Sequence, residues 1–360
     1  MIVDDSVVVR KALTSTLAQD PDLNVAGWAS NGRLAIARLQ TLRPDIILLD
    51  IEMPEMNGLE AIPEIRKILP KIPIVMFSTL SVSGATSTLD ALALGATDYV
   101  TKPSNQDMGA TSQSIAGELI PKIKALCGFQ SPARFRAPGA PKPSEVIPSA
   151  AVRVRPASIR PGPPAVVAIG VSTGGPDALA KLLPGIPKTF PLPIVIAQHM
   201  PPIFTDLLAN RLSTKCPLPV RECKPGTVLE PGCIWLAPGD YHMVVKLEGG
   251  LIRLRTNQEP RENFCRPSVD VLFRSVAAVY GARTLAVILT GMGQDGLQGC
   301  EALHAAGANI IVQDEATSVV WGMPGFVARA GLAEKILPLD QIGPEIRRRA
   351  AVQAPAEVRN

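Results

Sequence analysis

An apolar run, Ala165 to Ile169, leads directly into Gly170-Val171-Ser172-Thr173-Gly174-Gly175. The pattern predicts a buried strand that turns sharply into a helix, with glycines permitting tight backbone geometry and a small serine at the bend. Such a turn pushes a hydroxyl outward while backbone N–H groups converge beside it, as an acyl-transfer nucleophile requires. Ser172 is the candidate nucleophile. Glycine-rich turns of this kind also bind phosphate or merely reverse the chain, so the turn alone leaves those alternatives open.

A serine nucleophile needs a base, and the chain offers three histidines. His199 follows the strand-like Ile194 to Ala197 and precedes Met200-Pro201-Pro202, which places it on the same strand-end rim as Ser172. His242 closes the turn Pro238-Gly239-Asp240-Tyr241-His242 ahead of another strand, near an opposite or lateral edge, where a structural role is expected. His304 lies inside the helical Glu301-Ala302-Leu303-His304-Ala305-Ala306 and reads as an ordinary helix histidine. The base in turn needs a carboxylate on the side of the imidazole facing away from the serine. Asp295, in Leu289-Thr290-Gly291-Met292-Gly293-Gln294-Asp295-Gly296, can supply it from a strand's carboxyl end. Asp270 is the rival, although an acid at a helix start already has a use as dipole compensation. The glycines around Met292 let backbone N–H groups approach an oxyanion.

A second group of reactive side chains occupies the first third of the chain. Asp4 and Asp5, Asp50, the pair Ser78 and Thr79, and Lys102 each follow a short apolar run. Strands are predicted at Asp45 to Asp50, Ile72 to Phe77 and Ala96 to Val100, with helices at Val8 to Gln19, Gly32 to Leu42, Gly58 to Leu69 and Thr88 to Leu94. Alternation of this kind means a parallel sheet covered by helices on both faces, with its functional edge at the strands' carboxyl ends. Three crowded carboxylates repel one another unless a divalent cation neutralises them, and oxygen ligands suit Mg²⁺. A lysine and a hydroxyl nearby could stabilise phosphoryl oxygens.

The two groups are separated by a compositional break. From about Gly128 to Pro164 periodicity gives way to nine prolines among small and basic residues, a semi-extended tether that cannot bury a face. The expected division is therefore 1–127, a linker at 128–160, and 161–356. The third part repeats the alternating logic. Its strands are predicted at Ala165 to Gly170, Pro193 to Ala197, Cys233 to Ala237, Met243 to Leu247, Leu251 to Arg255, Leu285 to Leu289 and Asn309 to Val312. Its helices are predicted at Pro176 to Leu183, Phe204 to Leu212, Ser268 to Tyr280, Gln294 to Ala306 and near Pro324 to Ala330. Glu248-Gly249-Gly250 marks an antiparallel hairpin.

Composition narrows the class. A net charge of +4, with the basic residues scattered and no helix-turn-helix or zinc-finger pattern, gives no basis for nucleic-acid binding. No apolar stretch is long enough for membrane insertion, and Asp4 and Asp5 stand where a signal peptide would carry lysines, so a cytoplasmic location is expected. The six cysteines form no C-x-x-C pair, which favours reduced thiols over a zinc site or disulfides.

Residues 1 to 127 resemble the receiver domain of two-component response regulators, on Asp4-Asp5, Asp50-Ile51-Glu52-Met53-Pro54 with Asn57-Gly58, Ser78 after Val75-Met76-Phe77, and Thr101-Lys102-Pro103. The resemblance implies that Asp50 accepts a phosphoryl group, that Asp4, Asp5 and Asp50 hold Mg²⁺, and that Ser78 and Lys102 contact the phosphoryl oxygens. Receivers carry several apolar residues before the acidic pair. Here three residues precede Asp4, so either the first strand is short or the true start lies upstream of Met1.

The part from about Pro161 resembles the catalytic domain of the chemotaxis protein-glutamate methylesterases (CheB). The matching segments are Ile169 to Gly175, Ala197 to Pro201, Leu236 to Asp240, Arg266 to Phe273 and Leu289 to Gly296, in family order. Val171 and Gln294 replace the Ala and Asn usual there. The resemblance implies a triad of Ser172, His199 and Asp295, an oxyanion site at the backbone N–H groups of Thr173 and Met292, and no cofactor for the esterase. It implies a flavodoxin-like receiver joined to a Rossmann-like α/β domain. It further implies that methylated glutamates of chemoreceptors are the substrate, that glutamines are deamidated by the same chemistry, and that a chemotaxis histidine kinase is the phosphodonor. In that family the unphosphorylated receiver blocks receptor access. Two other classes stand against this reading. A nucleotide-binding module lacks the acid expected about twenty positions after Gly175, and a transcriptional regulator lacks a recognition-helix pattern in Pro338 to Asn360.

Overall fold

The structure is a computed structural model that describes residues 1–79, 81–102, 111–128 and 162–351. Pro103, the linker prolines from Pro132 to Pro161 and residues 352–360 lie outside the described residues. The chain divides into two compact units, Met1–Pro148 and Ser149–Asn360.

The first unit runs β1 (Ile2–Val3), α1 (Val7–Leu17), β2 (Trp28–Ala29), α2 (Gly32–Leu42), β3 (Ile47–Asp50), α3 (Gly58–Ile68), β4 (Ile74–Ser78), α4 (Val82–Ala93), β5 (Asp98–Thr101) and α5 (Thr111–Leu126). All its strands pair in parallel, in the order β2-β1-β3-β4-β5. β3 and β4 are buried at every position, as continuous apolar runs covered on both faces must be. Short polar side chains start the helices: Ser6, Asn31 and Ser81 each accept an N–H from their own first turn, and Asn57 forms a reciprocal capping box with Glu60.

Two elements depart from the sequence expectation. α4 begins at Val82 rather than Thr88, because Gly84 and Ala85 are buried by packing although they carry too little apolar surface to show a period. α5 was not anticipated. Pro121 interrupts its pattern, yet Leu119 and Ile123, one turn apart, reach the core beside Leu13 and Leu17 of α1.

The second unit runs β6 (Val166–Val171), α6 (Gly175–Leu182), β7 (Ile194–Gln198), α7 (Phe204–Ser213), β8 (Val220–Glu222), β9 (Ile234–Leu236), β10 (His242–Glu248), β11 (Leu251–Asn257), α8 (Val269–Tyr280), β12 (Thr284–Ile288), α9 (Leu297–Ala305), β13 (Asn309–Gln313), α10 (Met323–Arg329), β14 (Lys335–Leu337) and α11 (Leu339–Ala351). Seven strands form a parallel sheet ordered β14-β13-β12-β6-β7-β9-β8. β10 and β11 form the expected antiparallel hairpin as a separate sheet, turning at Gly249 and Gly250, both in the left-handed region.

The chain leaves β6 toward β7 on one side and returns to β12 on the other, so β6 is where the strand order reverses. In open α/β sheets, the crevice beyond such a strand is where ligands bind. The first unit repeats this at β1, which has β2 on one side and β3 on the other. β2, β8 and β14, with two or three residues each, were too short to show a period. α11 was missed because Pro344 and its charged face mask Ile342, Ile346 and Ala350, all buried at four-residue spacing.

Candidate active site

Ser172 immediately follows β6, and its own backbone is pinned on both sides. Its N–H donates to the Thr290 carbonyl at 3.0 Å, and its carbonyl accepts the Gly175 N–H at 2.8 Å. Two glycines are required by close approach. A Cβ on Gly291 would lie 2.8 Å from the Ser172 Cβ, and one on Gly170 would collide with Val269 of α8. Gly291 thus lets the backbone after β12 approach the serine closely.

His199 follows β7, the neighbour of β6. Its Nδ1 lies 3.0 Å from Ser172 Oγ, and its Nε2 lies 2.7 Å from Asp295 Oδ2. Gln198 fastens the two loops: its side-chain amide donates to the Ser172 carbonyl at 3.0 Å and to the His199 carbonyl at 3.2 Å.

Asp295, between β12 and α9, is buried and heavily supported. Oδ2 accepts the Val269 N–H at 2.7 Å as well as His199, and Oδ1 accepts from Ser268 Oγ at 2.8 Å, the Asp270 N–H at 3.1 Å and Asn263 Nδ2 at 3.1 Å. Two of these donors are the first N–H groups of α8, so the carboxylate sits on a helix N-terminus. Burial alone would raise its pKa, but His199 and these donors hold it well below the usual carboxylate range. Burial equally opposes a charged imidazole. The neighbouring Cys265 sulfur and the hydrogen bond to Asp295 outweigh it, and His199 is held well above the ordinary histidine range.

The sequence alternatives fall elsewhere. Asp270 forms no hydrogen bond with His199; it accepts the Gly299 N–H at 2.6 Å and Asn263 Nδ2 at 2.9 Å, tying α9 to α8. Burial, then the charge of Asp295, raises it to about 6. His242 is buried, with Nδ1 accepting the Ser268 N–H at 3.2 Å and Nε2 facing the Pro260 carbonyl at 3.1 Å. His304 lies on α9. Thr173, next to Ser172, is buried, and its carbonyl accepts from Thr290 Oγ1 at 2.9 Å.

Four contributors escaped the residue-level reading: Gln198, Asn263, Cys265 and Ser268. Gln198 and Ser268 lie inside motifs already singled out, but an amide or hydroxyl that bonds main chain carries no pattern of its own. Asn263 stands outside those motifs and carried no sequence signal; its left-handed backbone (φ 49) is seen only in the structure.

In the first unit, Asp4, Asp5 and Asp50 offer carboxylate oxygens within 4.8 Å of one another. Lys102 Nζ reaches Asp50 Oδ1 at 2.7 Å and Asp4 Oδ2 at 3.4 Å. Asp50 is pushed up to about 6, chiefly by burial, against the pull of Lys102. A Cβ on Gly58 would collide with the Asp50 carbonyl, which explains a glycine at the start of α3. Ser78 ends β4 as expected, but its hydroxyl faces α4: it donates to the Gly84 carbonyl at 3.1 Å and accepts from Thr88 Oγ1 at 2.6 Å. Thr79 Oγ1 bonds Ser81 Oγ at 3.2 Å.

Two parallel-sheet units, one with an acidic rim and one with a serine, an imidazole and a carboxylate in line, define the class: a receiver unit joined to a hydrolase unit of Rossmann-like α/β architecture. The chain belongs to the CheB methylesterase family. The CheB methylesterase family model matches residues 167–346, and the response regulator receiver domain matches residues 1–111. A protein-glutamate methylesterase/protein-glutamine glutaminase of Trichodesmium erythraeum is 47% identical over 352 residues, covering 97% of this chain and 98% of that protein. One of the same name from a Nocardioides species is 48% identical, covering 99% of this chain and 97% of its own. The crystal structure of the Thermotoga maritima CheB methylesterase catalytic domain is 40% identical with a TM-score of 0.51, covering 51% of this chain and 98% of that one. Among the described residues, no helix is long and apolar enough to cross a membrane.

Proposed function

We propose that the chain hydrolyses γ-glutamyl methyl esters on the cytoplasmic helices of chemoreceptors, under control of phosphorylation at Asp50. The observation that carries the catalytic half is His199, bonded to Ser172 on one nitrogen and to Asp295 on the other. Ser172 Oγ attacks the ester carbonyl as its proton passes to His199 Nδ1. The developing oxyanion lies against the N–H groups of Thr173 and Met292. Collapse expels methoxide, which leaves as methanol with the proton from His199, and a water activated by the same nitrogen releases the glutamate. The imidazole presents Nδ1 to the serine, whereas serine proteases present Nε2; the carboxylate accordingly holds Nε2–H. A glutamine side chain enters the same cycle with ammonia leaving, in keeping with the double name of the relatives.

The receiver half rests on the acidic rim. Three converging carboxylates beside a single lysine suit a hard divalent cation, and Asp4, Asp5 and Asp50 would hold Mg²⁺ there. When bound, the ion balances the charge of the incoming phosphoryl group. Asp50 accepts that group from a chemotaxis histidine kinase, Lys102 pairs with its oxygens, and Ser78 exchanges its bond to Gly84 for one to the phosphoryl. The modification raises the esterase rate.

The test is methanol release from a methylated receptor, with and without a small-molecule phosphodonor, in the native protein, Ser172→Ala and Asp50→Asn. Release confined to proteins that keep Ser172, and stimulation confined to those that keep Asp50, are the expected results. Release by Ser172→Ala would end the catalytic reading, and stimulation of Asp50→Asn would end the regulatory one.

A further inference from the structure

Cys265 places a thiol against the catalytic base. Its Sγ lies 3.4 Å from His199 Nδ1, the nitrogen that also faces Ser172 Oγ at 3.0 Å. Donor atoms of His199, Cys265 and Asp295 all fall within 4.8 Å of one another. The thiol is held in place from behind. It donates to the Asn263 carbonyl at 3.3 Å, within a loop where Asn263 and Phe264 both take the left-handed backbone.

We propose that His199 and Cys265 form an inhibitory site for Zn²⁺ or a similar thiophilic divalent cation, with Ser172 or water completing the coordination. Imidazole nitrogen and thiolate sulfur are the donor pair that borderline-soft metals select. With Zn–N and Zn–S bonds of about 2.0 and 2.3 Å, the observed 3.4 Å separation gives an angle of about 104° at the metal, close to tetrahedral. Asp295 already bonds the opposite nitrogen at 2.7 Å, which is the carboxylate–histidine arrangement that orients metal-binding imidazoles. The same carboxylate that fits the ring to take a proton therefore fits it to bind an ion. Binding exchanges the Cys265 S–H proton, and any proton carried on His199 Nδ1, for the metal, releases them to solvent, and occupies the lone pair Ser172 needs. The inhibition rests on the triad proposed above; the metal binding does not.

The experiment has two readouts on the full-length protein. Titration with Co²⁺ should produce a thiolate-to-cobalt charge-transfer absorption that Zn²⁺ abolishes, that is absent in Cys265→Ala, Cys265→Ser and His199→Ala, and that persists in Asp50→Asn. Circular dichroism of each variant separates loss of the site from loss of fold. In the methanol assay, Zn²⁺ should inhibit the native protein, excess chelator should restore it, and equal Mg²⁺ should not inhibit. The Zn²⁺ concentration for half-inhibition should rise roughly tenfold or more in Cys265→Ala and Cys265→Ser, each compared with its own metal-free rate. No thiolate band in the native protein, or an undiminished band in folded Cys265 variants, overturns the proposal. A protein that releases no methanol under any condition but shows the Cys265-dependent band keeps the metal site and refutes the esterase instead.

Discussion

Both units place their reactive groups beyond the strand where the sheet order reverses, β1 in one and β6 in the other, yet the two rims are built on opposite electrostatic terms. The esterase rim is complete. Asp295 accepts hydrogen bonds from the side chains of His199, Asn263 and Ser268 and from two main-chain N–H groups, and the line through His199 to Ser172 needs nothing further to be set. The receiver rim is unbalanced: three carboxylates face one lysine, and Asp50 is raised to about 6 by burial. A finished network suits a catalyst, which must not reorganise at each turnover. An unfinished one suits a switch, whose state depends on what arrives.

The sharpest way to break this contrast is to remove the proposed nucleophile. Ser172→Ala should lower kcat on the order of 10⁶-fold, while phosphorylation of the first unit by a small phosphodonor, followed by mass, stays intact. Asp295→Asn comes next. It should cost roughly 10⁴-fold in kcat by favouring the wrong tautomer of His199, and about 1–3 kcal/mol of stability, because its NH2 faces buried donors that the carboxylate had satisfied. The same variant tests the electrostatics. His199 accepts a proton only when neutral, so a base held above the ordinary value of 6.5 makes the rate fall as the pH drops through that raised pKa. Without the Asp295 charge, the acid limb of the kcat profile should move to lower pH. An unmoved limb would mean that Asp295 does not set the base.

Smaller changes sharpen the comparison. Asn263→Ala removes one of several supports of Asp295 and should cost about fivefold in kcat, equivalent to one hydrogen bond of roughly 1 kcal/mol, with KM unchanged. Gly58→Ala forces a methyl against the Asp50 carbonyl and should destabilise the first unit by about 1–3 kcal/mol. Its melting transition should fall while methanol release in the absence of phosphodonor stays the same.

The elements and residues that the sequence made plain are those with a period or a special turn. Continuous apolar strands, glycine turns and acids at strand ends located Ser172, His199, Asp295, Asp4 and Asp50 in two parallel sheets. The edge strands and α11 stayed hidden because two or three residues carry no period, and because Pro344 and a charged face dilute one. The supports of the proposed triad were illegible for another reason. Gln198 and Asn263 work through amides bonded to main chain or to a carboxylate nearly a hundred atoms away along the backbone, and only folding brings those groups together. Ser78 was placed correctly at its strand end, but the direction of its hydroxyl depends on the rotamer that α4 allows.

The seat of Asp295 on the first N–H groups of α8 has a mechanical corollary. Support drawn from main chain belongs to the fold rather than to any one side chain, so the place where the helix begins, more than the side chains at 269 and 270, sets where the acid sits. A substitution that shifts the start of this helix by one residue should therefore displace the carboxylate even if every side chain around it is kept.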